Sequence, residues 1–352
     1  MDRFYPKTGN ENGMNKTMMI DEGINSMKTP ARGLGRFGTL LAGVGICVSI
    51  VLVIAIAGDF QEMRNVWATI QYQYLALIAI LAVANHGLRY WRWKLLLTLV
   101  APRTPAKQLT SMLIFGAGSL LIFTPARVGE AAKSIYAQRY FGIPLAKSVP
   151  ILIAERLSDM AVMALLATLG LFLLGELHHL LFASAILAAT LLFFALWKIT
   201  MNWEGLFKFI RRFMGSKLDQ IIELTSSSQR SLFTPRSIGT NLSLGICAWI
   251  IETLIYFLSL SALGVDIDSN LFILALAVFP LASLGGSLSF LPGGLGATEG
   301  ALVALGILFG GLSEETAITA GLISRAAILG VVVLGGIISI PLLNRMSHNP
   351  DA

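Results

Sequence analysis

An all-α polytopic membrane fold, an inverted repeat with two re-entrant or broken helical hairpins and about six full spans, is what this sequence predicts. Three observations predict it. Apolar residues make up 55% of the 352-residue chain and charged residues 13%, about half the charged share of a soluble globular domain, and the mean hydropathy is +0.73. Residues 37–57 run without a charge, which matches the ~20 residues a helix needs to cross the hydrocarbon core, and several later stretches repeat this. Finally, two segments interrupted by Pro and Gly, FTPARVGE and FLPGGLGATEG, sit at corresponding places in the two halves.

The elements follow in order. Residues 1–36 carry Arg3, Lys7, Lys16, Lys28, Arg32 and Arg36 among Asn, Gly and Thr, a composition that reads as a disordered cytoplasmic tail. The run at 37–57 lacks a small-residue cleavage site and exceeds a signal-peptide core, so it stands as a retained first helix. An acidic loop with Asp59 and Glu62 leads to a helix at about 74–100, which carries Arg89, Arg92 and Lys94 beside Tyr90, Trp91 and Trp93. Such an aromatic and cationic belt belongs at a membrane interface, and makes Arg89, Arg92 and Trp93 candidates for a lipid headgroup; ordinary anchoring explains them as well. The stretch 112–123 is apolar, too short to span, and ends in FTPARVGEAAK, so it reads as a re-entrant hairpin.

Spans at about 149–174 and 180–197 flank a tight loop of Glu176, Leu177, His178 and His179. The basic linker 198–237 holds Lys198, Lys208, Arg211, Arg212, Lys217, Arg230 and Arg236; it reads as cytoplasmic, with an amphipathic surface helix in its middle. A span at about 238–263 follows, then a loop with Asp266 and Asp268 and a long apolar region that turns at FLPGGLGATEG and runs to Gly311. The last helix, about 316–342, ends before Arg345, and 346–352 is a short tail. Assigning basic loops inward places both termini in the cytoplasm of a cell inner or plasma membrane. The whole of 37–345 is then one membrane domain: repeat A at about 74–175, repeat B at about 238–342.

The net charge of +6 does not indicate nucleic acid, because the basic residues collect between spans. Cys47 and Cys247 lie inside predicted spans, far apart, and support neither a disulfide framework nor a zinc pattern. No metal or other cofactor is expected. His86 reads as a packing histidine, since no second ligand lies at helical spacing.

The two breaks align as strings. Phe123, Thr124, Pro125, Ala126, Arg127, Val128, Gly129 and Glu130 match Phe290, Leu291, Pro292, Gly293, Gly294, Leu295, Gly296 and Ala297, with Glu299 just beyond. Arg156 lies 31 residues after Pro125, and Arg325 lies 33 after Pro292. The charge-derived topology turns these units upside down relative to each other, as in repeats whose discontinuous helices bind substrate near the midplane. Pro125 and Pro292 would break the ladder, while Gly129, Gly293, Gly294 and Gly296 would free backbone N–H groups that attract anions. Close helix packing through Gly296 and Gly300 is an equally open reading. The sequence argues against a nucleotide P-loop, because no Lys-Ser/Thr follows the glycines.

Ionisable residues inside spans cost at least ~2.5–3.5 kcal/mol each, so they require partners or a wet cavity. Glu155, Arg156 and Asp159 share one helix face. Arg127, Glu130 and Lys133 recur at spacing three after the first break. Arg325 has no acidic neighbour in its own helix, and Glu252, central in its span, is the expected partner. A salt-bridged structural cluster and a substrate site are both open at this point.

RYWRWKLLL, TPARVGEAAK, AERLSDM, PGGLGATEGAL and LISRAAIL together resemble the transmembrane region of the lysylphosphatidylglycerol synthase family, also called flippase-like or UPF0104. The resemblance implies translocation of a lipid. The soluble transferase of the bifunctional members has no counterpart before the chain ends at Ala352, so lysyl transfer and enzymatic activity are not expected. The expected partners are membrane lipids with anionic or zwitterionic headgroups. Arg127, Arg156 and Arg325 would contact phosphate, balanced by Glu130, Glu155, Asp159, Glu252 and Glu299. Without an ATP motif, movement would be passive or coupled to an ion gradient. The alternatives are an intramembrane enzyme on lipid-linked substrates and a scaffold for a separate lipid-modifying enzyme.

Overall fold

In hydrocarbon, backbone N–H and C=O groups must find partners within the protein, and the described residues accordingly form helices and no strand. The structure, a computed structural model, describes residues 70–102, 104, 107–124, 129–175, 181, 184, 186, 187 and 216–346. The expectations for the tail, the span at 37–57, the Asp59 and Glu62 loop, most of the span at 180–197, the linker up to 215 and the C-terminal residues from 347 onward lie outside the described residues. So do Cys47, Pro125 and Arg127.

In chain order the helices are α1 (Tyr72–Val100), α2 (Gln108–Leu120), α3 (Ala132–Phe141), α4 (Leu145–Leu174), α5 (Ser216–Leu232), α6 (Pro235–Ala262), α7 (Ser269–Leu288), α8 (Ala297–Gly310) and α9 (Glu314–Met346). Short 3-10 turns at Leu121–Phe123 and Pro292–Gly294 carry the two breaks. Local chemistry sets the ends. Thr234 caps α6, its Oγ1 accepting from the Ser237 N–H at 3.2 Å, with Pro235 at the first helical position. Asp268 caps α7 by accepting from the Leu271 N–H at 2.7 Å. α3, α4 and α8 stop at Gly142, Gly175 and Gly311, each in the left-handed conformation.

The two repeats are visible as packing. α1, the α2 to α3 hairpin and α4 correspond to α6, the α7 to α8 hairpin and α9. α1 packs along α6, α7 packs on α4, and α2 packs on α9. Each hairpin therefore lays its first helix on the last helix of the opposite repeat, a reciprocal exchange that makes the two units one interlocked body. Both crossings rely on glycine. A Cβ on Gly170 would lie 2.4 Å from the Ala277 backbone nitrogen, and one on Gly116 would lie 2.4 Å from Ser339 Oγ. Gly170→Val should therefore push α4 off α7 and cost about 1–3 kcal/mol, read as a lower melting temperature in detergent. Melting with the wild type would mean that the two helices do not touch there.

The 3-10 turns of the two breaks meet: Phe123 is buried, and its ring lies 3.2 Å from where a Gly293 Cβ would sit. The hairpins are not equivalent, in keeping with the short first stretch and the long second one read from the sequence. α7 and the stretch Pro292–Gly310 have 20 and 19 residues and are each long and apolar enough to cross a membrane, whereas α3 has 10 residues. By the same measure α4, α6 and α9 also qualify, giving five such helices among the described residues. α1 has the length, but Asn85, His86, Arg89, Arg92 and Lys94 make it too polar to be counted with them.

The distribution of side chains is the inverse of a soluble protein's. Ile80, Phe172, Leu308, Leu334 and Ile338 are exposed, while Arg92, Lys133, Glu155, Asp159, Glu252 and Arg325 are buried. Water would penalise both arrangements. A lipid surround favours both.

Candidate functional site

α1 and α4 deliver the centre. Asp159 on α4 is 1% exposed and accepts from Arg92 Nη1 at 2.8 Å, from Trp249 Nε1 at 3.3 Å and from Arg89 Nη1 at 3.5 Å. Arg156 Nη1 stands 3.6 Å from it. Arg89 also donates to Glu252 at 2.7 Å, an oxygen shared with Asn85 at 2.7 Å, and lies over the Trp249 ring at 5.2 Å. The first break supplies the next layer. Glu130 accepts from Arg156 Nη2 at 3.0 Å and faces Lys133 Nζ at 3.4 Å, while Lys133 lies 3.7 Å from Glu155 and 4.9 Å from the centroid of the Phe115 ring. Gly129 closes this break by donating its N–H to Thr124 Oγ1 at 2.6 Å.

The second break is built differently. Gly296 N–H donates to Glu299 Oε2 at 2.7 Å, so the third residue of α8 reaches back to satisfy the backbone donor at its start. Glu299 Oε1 accepts from Arg325 Nε at 2.8 Å, and Arg325 Nη2 donates to the Gly293 carbonyl at 2.9 Å. Gly293 (φ 62°) and Gly296 (φ 80°) take left-handed conformations that present these groups to α9 and α8. Gly294 packs on Thr298, where a Cβ would come within 2.8 Å of the hydroxyl.

These residues surround one cavity of about 90 Å³, to which both repeats contribute: Asn85, His86, Arg89 and Arg92 from α1, Glu130 and Lys133 from the first break, Glu155 and Arg156 from α4, Glu252 from α6 and Arg325 from α9. That volume accommodates several waters or a small polar group. Arg89, Arg92, Lys133, Arg156 and Arg325 face Glu130, Glu155, Asp159, Glu252 and Glu299, so the cations and anions named here balance. The Nε atoms of Arg92 and Arg156 are buried and have no acceptor among the described residues.

Three readings of the sequence need correction. Arg325 pairs with Glu299 and not with Glu252, which belongs to Arg89 and Asn85. Arg92 and Trp93 do not sit at an exposed interface: they are 2% and 4% exposed, Arg92 against Asp159 of α4 and Gly245 of α6 and Trp93 beside Phe115 of α2, whereas Trp91 points outward. The repeats also register two residues away from the string alignment, because Glu130 to Arg156 and Glu299 to Arg325 are both 26-residue separations. In that register Lys133, Glu155 and Asp159 fall opposite Leu302, Ser324 and Ile328. Repeat A thus carries an ionic network where repeat B carries one ion pair in an apolar setting.

Asn85, Trp249 and Phe115 had no sequence signal as site residues; only their position beside charges reveals them. His86 packs on Phe115, ring centroids 5.1 Å apart. Among the described residues no group of three or more His, Cys, Asp or Glu side chains is placed to hold a metal.

Helices of spanning length around a buried, charge-lined cavity at two touching breaks define a polytopic α-helical membrane protein. The chain belongs to the lysylphosphatidylglycerol synthase transmembrane region family, whose model matches residues 40–336. It is similar to two UPF0104 membrane proteins of Methanothermobacter thermautotrophicus. One is 24% identical over 326 residues, covering 86% of this chain and 95% of the relative. The other is 26% identical over 283 residues, covering 75% and 82%. No solved structure matches the chain.

Proposed function

We propose that this protein moves a polar-headed lipid, with an anionic or zwitterionic headgroup, between membrane leaflets, and that it does so without changing the lipid chemically. One observation carries the reading: both repeats point charged side chains into a single buried cavity where the two helix breaks touch. A site whose cations are already matched by carboxylates favours a headgroup that exchanges for one of those carboxylates over one that adds charge, since every uncompensated charge in low dielectric is costly. Arg156 is the residue best suited to the exchange. Its side chain is 29% exposed, the most open of the cavity's arginines, and it is divided between Glu130 and Asp159 with Nε unused. Two phosphate oxygens could accept from Nε and one Nη, in the bidentate manner that arginine favours.

The distribution of Lys and Arg supports a cell inner or plasma membrane location with both termini cytoplasmic. The test of function is reconstitution in liposomes with headgroup-labelled phospholipids. Wild-type protein is expected to equilibrate label between leaflets, and Arg156→Ala to slow this at least ~10-fold, about 1.4 kcal/mol of barrier; Arg156→Lys, a charge without the fork, should fall between. Chemical conversion of the lipid would replace this reading with an enzyme. Neither conversion nor equilibration would leave a scaffold.

A further inference from the structure

Arg325 lines the central cavity, while its partner Glu299 lines a second one. The second is a cleft of about 330 Å³ between α8 and α9, bounded by Gly300, Ala304, Ile307, Gly321 and Leu322. Glu314, the first residue of α9, stands at its outer end. From Glu299 to Ile307 along α8 is about 12 Å at 1.5 Å per residue, so the cleft leads from a helix end inward to the Glu299–Arg325 pair. Apart from the two carboxylates its walls are apolar or glycine. The outward side of α8 beside it, at Ile307 and Leu308, is exposed.

Gly300 gives the cleft its meaning. After proline, glycine is the least favourable residue inside a helix, and close packing is the usual reason to find one there. On the same helix Gly306 and Gly310 have that reason: a Cβ would meet Leu312 at 3.2 Å and Leu274 at 2.4 Å. At Gly300 an added Cβ meets nothing within 4 Å. This glycine is not a packing contact; it leaves the wall of the cleft open.

We infer that the cleft between α8 and α9 seats an acyl chain of the lipid whose headgroup enters the central cavity, and that the Glu299–Arg325 ion pair is the gate between the two. The inference rests on the reading given under Proposed function. It follows from continuity: one ion pair, 2.8 Å long, separates a polar chamber from an apolar one, the two chemistries that an amphiphile needs side by side.

Gly300→Phe tests this without disturbing the packing, because the new side chain projects into open space. Gly239→Phe on exposed α6 backbone, where a Cβ is also uncontacted, is the matched control. Full-length protein is reconstituted in phosphatidylethanolamine and phosphatidylglycerol vesicles containing a phospholipid with a photoactivatable diazirine in its acyl chain, and the adducts are mapped by mass spectrometry. We expect adducts on α8 and α9 near Gly300 and Gly321 in the wild type and in Gly239→Phe. Gly300→Phe should reduce them and the lipid equilibration rate at least ~10-fold, with an unchanged melting temperature. Adducts that map elsewhere, or a Gly300→Phe that equilibrates lipid like the wild type, would overturn the inference and leave the transport reading standing. A wild type that equilibrates no lipid overturns the transport reading, and this inference with it.

Discussion

Asp159→Ala is expected to be the most damaging single substitution in the chain. The carboxylate is 1% exposed and is approached by three guanidinium groups and the Trp249 indole. Its loss strands Arg92, itself 2% exposed with no second anion in ion-pair contact among the described residues. Breaking a buried ion pair from one side costs about 3–5 kcal/mol, because an uncompensated charge remains, a large fraction of the ~5–15 kcal/mol that keeps a typical protein folded. The variant should lose its monodisperse peak in detergent and melt well below the wild type. Asp159→Asn keeps the shape and an acceptor for Trp249 but not the charge, and should fall between. An Asp159→Ala protein that melts with the wild type would show that Arg92 finds another anion and that the network is not as described.

That network was only partly legible in the sequence. Charges inside apolar runs announce buried partners, which is why Glu130, Glu155, Arg156, Asp159, Glu252, Glu299 and Arg325 stood out. Which charge meets which did not follow, because the hydrogen-bonded pairs join residues 26 to 163 positions apart, and the helix rotations that bring them together come from packing. The RYWRW run shows the limit: a cationic and aromatic helix end reads as an interfacial belt when viewed alone, and only the packing of α2, α4 and α6 against α1 turns Arg92 and Trp93 inward. The helix breaks were legible because Pro and Gly act locally. Their register was not, since the stretch from Pro292 to Glu299 is two residues longer than that from Pro125 to Glu130 and the matching Phe-x-Pro strings disguise the difference.

The same asymmetry sets the second large effect. Glu299→Leu should destabilise the protein by about 3–5 kcal/mol, since Arg325 is buried and Glu299 is the anion that holds it. Adding Arg325→Met removes the stranded charge, and the double variant should recover most of that loss, because an apolar pair often replaces a buried ion pair at little cost. About 1–3 kcal/mol should stay missing, the penalty for leaving the Gly293 carbonyl without its Arg325 donor. The corresponding double change in repeat A, Glu130→Leu with Arg156→Met, should recover far less. Arg156 also faces Asp159, and Glu130 also faces Lys133, so each removal there strands a further charge. Melting temperatures of the four single and two double variants give both coupling energies. Large recovery in repeat B with little in repeat A is the expected pattern. Equal recovery in the two repeats would mean that Lys133 and Asp159 do not hold the first break, and that the two ion pairs are equivalent. Transport completes the argument: if the ion pair is a gate, the repeat B double variant folds but does not move lipid, and stability and function separate at one site.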